Sequence, residues 1–222
     1  VRAVLDDVAH DDEPAASEEG VAHWATVFDA AVRRSPEGSV ALYALGDPAL
    51  LRSATDEVVA LLRRAGLLVN DRDVLDVGCG IGRFEAALAG DVRSVVGIDV
   101  SPAMVATARE RCRGLANVTL LTSTGRDLSL FADASFDLVL AVDAFPYLVL
   151  SGASVVETHV REAARVLRPR GRLLIFNFSY RGDTDLDRAD VARLARRAGL
   201  DLVGNGTAEL ALWDALMFDL AR

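Results

Sequence analysis

With 222 residues and 51% hydrophobic side chains, the chain can build one domain-sized core with a smaller N-terminal addition. A formal charge of −9 and a pI of about 4.8 give no basic face to meet a phosphate backbone, so neither RNA nor DNA is expected as a partner. All 24 formal cations are Arg, which leaves no lysine for Schiff-base chemistry.

Val1–Gly20 is polar and strongly acidic, and no secretory pattern or fixed structure is expected in it. In Val21–Arg34, Val21, Trp24, Phe28 and Val32 recur at helical spacing. Asp47-Pro48 reads as an N-cap with Pro in the first turn of a second helical stretch. That stretch ends at Ala65-Gly66, with Ser53 or Thr55 as a possible break. From Val74 onward, short β-branched runs alternate with helical segments. Strands are predicted near 73–77, 94–99, 117–122, 136–142, 171–177, 200–204 and 215–221. Helices are predicted near 82–89, 102–113, 153–167 and 187–198. Gly171 is expected to close the helix before the fifth strand. The alternation predicts an α/β, doubly wound, mostly parallel seven-stranded sheet of Rossmann-like type. No helix separates the last two strands, so they are expected to pair antiparallel. Leu138–Leu150 is the longest apolar run, but Asp143 and Pro146 interrupt it short of the roughly 18–20 residues of a membrane span.

The first candidate site is Val74–Phe84, VLDVGCGIGRF. A strand ending in an acid runs into Gly78-Cys79-Gly80-Ile81-Gly82 and then a helix. Glycine permits positive φ and lets the backbone approach a ligand closely. The spacing lacks the third glycine of the dinucleotide fingerprint, and no Gly-Lys-Ser/Thr follows. Asp99 ends the next strand, 17 residues after Gly82, where a carboxylate can accept both ribose hydroxyls. Ser101 reads as the cap of the helix opening at Pro102. Cys79 and Cys112 have no second Cys or His at metal spacing, and His10, His23 and His159 are scattered. No metal is expected, and the thiols suit a reducing, cytoplasmic setting.

With VVGIDVSPAM, GRDLSLFADASFDLVLA and REAARVLRPRGRLLIF, this loop resembles the class I S-adenosylmethionine-dependent methyltransferase family over most of Val74 to Arg222. The resemblance implies a helical cap in residues 1–70 and a cofactor-binding domain in 71–222. It implies that Asp76 and the backbone of Gly78, Cys79, Gly80 and Gly82 face the methionine part of S-adenosylmethionine. Asp99 would bind ribose, with Val100 and Met104 against adenine. Arg126, Asp127 and Leu128 would form the acidic turn at the adenine amino group, although one extra residue separates this turn from Ser135-Phe136-Asp137. Ala141 and Val142 would lie beside the sulfonium, and Tyr43 would touch the methionine part. Where the family often carries a His, this chain reads Asp143-Ala144-Phe145-Pro146-Tyr147.

The expected chemistry is methyl transfer to a small-molecule acceptor, in line with the leaving sulfur. The protein positions the reactants and excludes water. A base is needed only if the nucleophile must lose a proton. Asp143, Tyr147 and His23 are the candidates, with Tyr180 behind them. Asp137 is expected to cap or orient its strand, and Arg83 is either a helix-end residue or a carboxylate clamp. Trp24, Phe28, Tyr43, Phe145, Tyr147 and Trp213 are candidates to line the acceptor pocket. Two other readings stay open: a protein of this fold that binds the cofactor without transferring methyl, and a nicotinamide-dependent oxidoreductase.

Overall fold

The computed structural model describes residues 18–40 and 46–222. Tyr43 and the acidic segment 1–17 lie outside the described residues. Helix α1 (Glu18–Arg34) buries Val21, Trp24, Ala31 and Val32 along one stripe. A short 3₁₀ turn, η1 (Glu37–Ser39), follows it. Helix α2 (Pro48–Arg64) starts where Asp47 accepts the amides of Ala49 and Leu50. It runs unbroken. Ser53 and Thr55 return their hydroxyls to the carbonyls four residues back, so neither interrupts the turn.

The sheet strands are β1 (Asp73–Val77), β2 (Ser94–Asp99), β3 (Val118–Thr122), β4 (Phe136–Val142), β5 (Leu167–Phe176), β6 (Asp201–Ala208) and β7 (Leu216–Ala221). The helices between them are α3 (Arg83–Leu88), α4 (Pro102–Arg111), α5 (Phe145–Leu150), α6 (Ala153–Val166) and α7 (Thr184–Ala198). The strand order is β3-β2-β1-β4-β5-β7-β6. All pairings from β3 to β5 are parallel, while β7 inserts antiparallel between β5 and β6. Successive residues of a strand face opposite layers. Leu75, Val139, Leu173 and Ile175 point toward α6 and α7, and Val74, Leu138, Leu140, Leu174 and Phe176 toward α2 and α3.

Three boundaries differ from the sequence reading. Strand β5 begins at Leu167, directly after α6, so Gly171 lies inside a strand and closes no helix. Arg170 adopts φ 70°, and the register with β4 shifts between Phe136 and Leu138. Pro169 cannot donate to a ladder, and this irregularity absorbs it. Strand β6 extends to Ala208, and α7 starts at Thr184, where Asp183 caps the amide of Leu186.

Asp137 does orient its strand. It accepts the amide of Asp73 at 2.8 Å and pairs with Arg168, which also reaches Asp73. Arg93 donates to Asp73 and holds its carboxyl well below the usual range. This network ties together the N-terminal ends of β1 and β4. The order reverses between those two strands, so a crevice opens at their other, C-terminal ends.

Candidate active site

At that crevice β1 ends and the glycine loop begins. Gly78, Gly80 and Gly82 have φ of 81°, 52° and 76°. The amides of Gly78 and Cys79 both donate to the carbonyl of Ile98, which stitches the loop to β2. A Cβ on Gly78 would lie 2.5 Å from Ala144 Cβ, and one on Gly80 would lie 2.8 Å from Val40 Cγ1. At these two positions the missing side chain lets Ala144 and Val40 pack closely on the loop backbone. At Gly82 it lets α3 pack on Ala108 of α4.

Asp99 closes the far side of the loop. Its Oδ2 accepts the amide of Gly80 and its Oδ1 that of Ser101, each at 2.9 Å. Burial raises its pKa, and the amides of Ser101, Gly80 and Val100 oppose that rise. Each oxygen retains a lone pair. The carboxylate is thus fixed in place and can still accept a diol.

The loop opens into a cavity of about 270 Å³. Val21, Trp24 and Phe28 of α1 form its roof, with Ser39 and Val40 beside them. The roof is anchored by Asp29, whose Oδ1 accepts Ser101 Oγ and the Ala103 amide at the N-terminus of α4. That position favours a carboxylate on both hydrogen-bonding and dipole grounds. Ile98, Asp99, Val100, Met104, Ser123 and Gly125 form one side. The opposite end holds Asp143, Tyr147, Tyr180 and Trp213, with Arg83 between the two ends. Glu57 of α2 accepts the amides of Ala211 and Leu212, fixing the loop that carries Trp213.

Asp143 follows β4 in the left-handed region, at φ 61°. Its Oδ1 accepts Asn177 Nδ2 at 2.7 Å and Tyr180 Oη at 2.8 Å. Among the described residues its Oδ2 makes no hydrogen bond. Burial lifts the carboxyl to about 6, and Tyr180, Asn177 and Arg83 restrain it. Tyr180 also meets Tyr147, oxygen to oxygen, at 3.4 Å. Burial and then the Asp143 charge push both phenols above their usual range, so they remain protonated. Tyr147 packs edge-on against Trp24 and Phe28, with ring centroids 4.9 and 4.8 Å apart.

Residues 75–175 match the sequence model described as a methyltransferase domain. A demethylmenaquinone methyltransferase of Tropheryma whipplei is 41% identical over 108 residues, 49% of this chain and 42% of that protein. A 2-methyl-6-phytyl-1,4-hydroquinone methyltransferase of Synechocystis is 34% identical over 145 residues, 62% of this chain and 44% of that protein. Residues 75–175 are thus similar to a methyltransferase domain, and the curated relatives that overlap this stretch are methyltransferases. The chain spans less than half the length of these two curated methyltransferases. The solved phosphoethanolamine N-methyltransferase 1 of Haemonchus contortus, in complex with phosphoethanolamine and S-adenosylhomocysteine, shares the fold. Its TM-score is 0.67 at 17% identity, covering 93% of this chain and 50% of that one.

The cavity brings together most of the residues singled out in the sequence. Gly78, Cys79, Gly80, Asp99, Val100, Met104, Val142, Asp143 and Tyr147 all line it. Others lie elsewhere. Asp76 and Ala141 are buried within their strands and do not line the cavity. Gly82 serves helix packing, as above. Of the acidic turn's segment, Gly125 lines the cavity, packed so closely on Val100 and Val21 that a Cβ there would clash, and residues 126–128 do not. Beyond it, Arg126 is exposed, and Asp127 accepts the amide and hydroxyl of Ser129, which lowers its pKa. Leu128 is core. His23 is exposed on the outer face of α1, edge-on to Trp24, and does not reach the cavity. Phe145 packs into the core against Phe178.

The sequence reading missed His159. This residue of α6 lines the cavity and bonds the Val155 carbonyl through Nδ1 at 2.8 Å. Burial lowers its pKa, so it is neutral at neutral pH. The available signal was its place on the buried stripe Val155, Val156, His159, Val160 and Ala163. Ser39, Ser123 and Ser151 also line the cavity and carried no signal in the sequence.

Proposed function

We propose that this chain binds S-adenosylmethionine at the glycine loop and Asp99, and transfers its methyl group to a small-molecule acceptor seated against Asp143, Tyr147 and Trp213. The observation that carries this reading is the continuity of one cavity, which runs from Gly78, Gly80 and Asp99 to the free Oδ2 of Asp143. When bound, the cofactor supplies a methyl group already activated by its sulfonium. The protein's task is then orientation, exclusion of water and removal of a proton. Gly78 and Gly80 give backbone access, and Asp99 offers its remaining lone pairs to the ribose diol. Trp24, Phe28 and Tyr147 present apolar surface to the acceptor. Asp143 is ionised at neutral pH. It accepts the proton of a hydroxyl, amine or activated carbon at Oδ2, while Tyr180 and Asn177 hold Oδ1.

Residues 1–70 act in this reading as a cap over 71–222, on the strength of Val21, Trp24 and Phe28 in the roof. The net charge of −9 supports a small-molecule acceptor over nucleic acid. Among the described residues no helix is long and apolar enough to cross a membrane. The two free thiols support a cytoplasmic setting, which fractionation tests.

Calorimetric titration with S-adenosylmethionine is the direct test. Absence of binding sinks the proposal, and binding of NAD in its place favours an oxidoreductase. An acceptor library assayed for S-adenosylhomocysteine then separates an enzyme from a protein that only binds the cofactor.

A further inference from the structure

Beneath the glycine loop lie two acids that the proposed chemistry does not use. Asp76 of β1 is 1% exposed and Glu85 of α3 is 0% exposed. Among the described residues, none of their four carboxyl oxygens accepts a hydrogen bond from any donor. Two ionised carboxylates sealed against each other in a dry interior would be untenable. The packing brings them together deliberately. Asp76 sits opposite Gly97 in the β1–β2 register. A Cβ at Gly97 would stand 2.2 Å from Glu85 Oε1, so Glu85 occupies the notch which that glycine leaves. From the notch its carboxyl lies beside that of Asp76, where a proton held by one acid can serve both.

The geometry points to Glu85 as a positioning residue of the cofactor site, holding a proton against Asp76 so that the two acids act as one singly charged group under the loop. This rests on the cofactor reading above. The methionine end of S-adenosylmethionine carries a sulfonium and an ammonium, so a single buried negative charge beside it complements the cation. A doubly protonated pair offers no charge, and a doubly ionised pair is too costly to bury. Burial lifts Asp76 to about 7, while the Glu85 carboxyl and Arg83 restrain it and Asp99 pushes it higher. Burial and then the Asp76 charge hold Glu85 well above its ordinary range. The groups facing the pair are Arg83 on α3, Cys79 in the loop, Asp99 at the end of β2 and Cys112 after α4. Both thiols are themselves raised by burial and carry no charge near neutrality. Below about 7 the pair therefore holds two protons. Binding of the cation expels one of them to solvent and leaves the other shared between Glu85 and Asp76.

The test is calorimetry with S-adenosylmethionine at about pH 6 and about pH 8, in buffers of different ionisation enthalpy. The wild-type chain is expected to bind about tenfold more tightly at the higher pH and to release a proton on binding at the lower one. Glu85→Gln keeps a neutral donor for Asp76, as protonated Glu85 does, so its pH step should stay in place, whereas Glu85→Leu removes the donor and should move the step to higher pH. Gly97→Ala should displace Glu85 and weaken binding at both pH values. Infrared spectra of the ligand-free chain at about pH 8 should show a buried protonated-acid band that Glu85→Gln removes. A pH step that does not move in Glu85→Leu, or no such band in wild type, overturns the shared proton. No binding by wild type at either pH overturns the cofactor reading instead, and the infrared result still decides the proton.

Discussion

Asp143 is placed to act at a cost, and the cost is measurable without knowing the acceptor. An ordinary aspartate ionises near 4, whereas burial brings Asp143 to about 6. At about 1.4 kcal/mol per tenfold, that gap corresponds to roughly 2–3 kcal/mol by which the ionised side chain destabilises the fold. Between those two pH values the folded chain holds a proton that the unfolded chain has lost. The group therefore costs nothing below about 4, and its full penalty is reached as pH rises through about 6. Asn is the clean replacement. It tolerates the φ of 61° at this position, and its amide oxygen can still accept from Asn177 and Tyr180. Urea unfolding of wild type and Asp143→Asn should show near-equal stability at about pH 4. At about pH 8 the variant should be more stable by roughly 2 kcal/mol. The same variant should lose about 10²-fold or more in methyl transfer, because the proton acceptor is gone. A variant less stable than wild type at high pH would refute the burial argument. Unchanged turnover would refute the base.

Tyr180→Phe removes one donor from Asp143, so the acid limb of the rate profile should move to higher pH by about one unit, read from kcat against pH. Asp99→Ala should weaken S-adenosylmethionine binding about 100-fold or more by calorimetry, since it removes both the diol acceptor and the anchor of the Gly80 amide. Gly80→Ala forces a side chain to φ 52° and against Val40, so cofactor affinity and melting temperature should both fall, the latter by the equivalent of about 1–3 kcal/mol. Asp29→Ala leaves the Ala103 amide without its partner, and hydrogen exchange should report faster opening of α1 at a cost of about 1 kcal/mol.

The sheet was legible because its signals are local. Alternating strands and helices gave seven strands and the reversed last one, and Ser101 and Asp47 announced their helices by cap chemistry. The glycine-loop end of the cavity was legible for the same reason: glycines that need positive φ and an acid at a strand end are written close together in the chain. The rest of the site depends on contacts across long stretches of sequence. Asp29 looks like an exposed acid on α1 until Ser101, 72 residues on, meets it. Trp213 reaches the cavity because Glu57 holds its loop from 154 residues away. Glu85, in a six-residue helix, reads as a surface charge, and only the pairing of Asp76 with Gly97 shows where its carboxyl goes. The acidic turn is a familiar local pattern, yet Ser123 and Gly125, which precede it, are the residues of this segment that line the cavity.

One electrostatic theme joins these residues. Asp76, Glu85, Asp99 and Asp143 all have raised pKa values, and burial is the first cause of each. Among the described residues Arg83 is the cation lining the cavity, and it is already bonded to Thr55 and stacked on Phe84. An anionic ligand would add to this field, whereas a sulfonium relieves it. Transfer removes the positive charge from the sulfur, so the product loses the attraction that held the substrate. On the proposed function, the field that would recruit the charged cofactor therefore also favours its exchange after reaction. In wild type, S-adenosylmethionine should bind more tightly than S-adenosylhomocysteine, and the preference should grow as pH rises through about 7 and the Asp76–Glu85 pair gains its charge. Competition titrations across that range measure the preference, and a ratio that stays flat with pH would show that the buried acids do not sense the sulfonium.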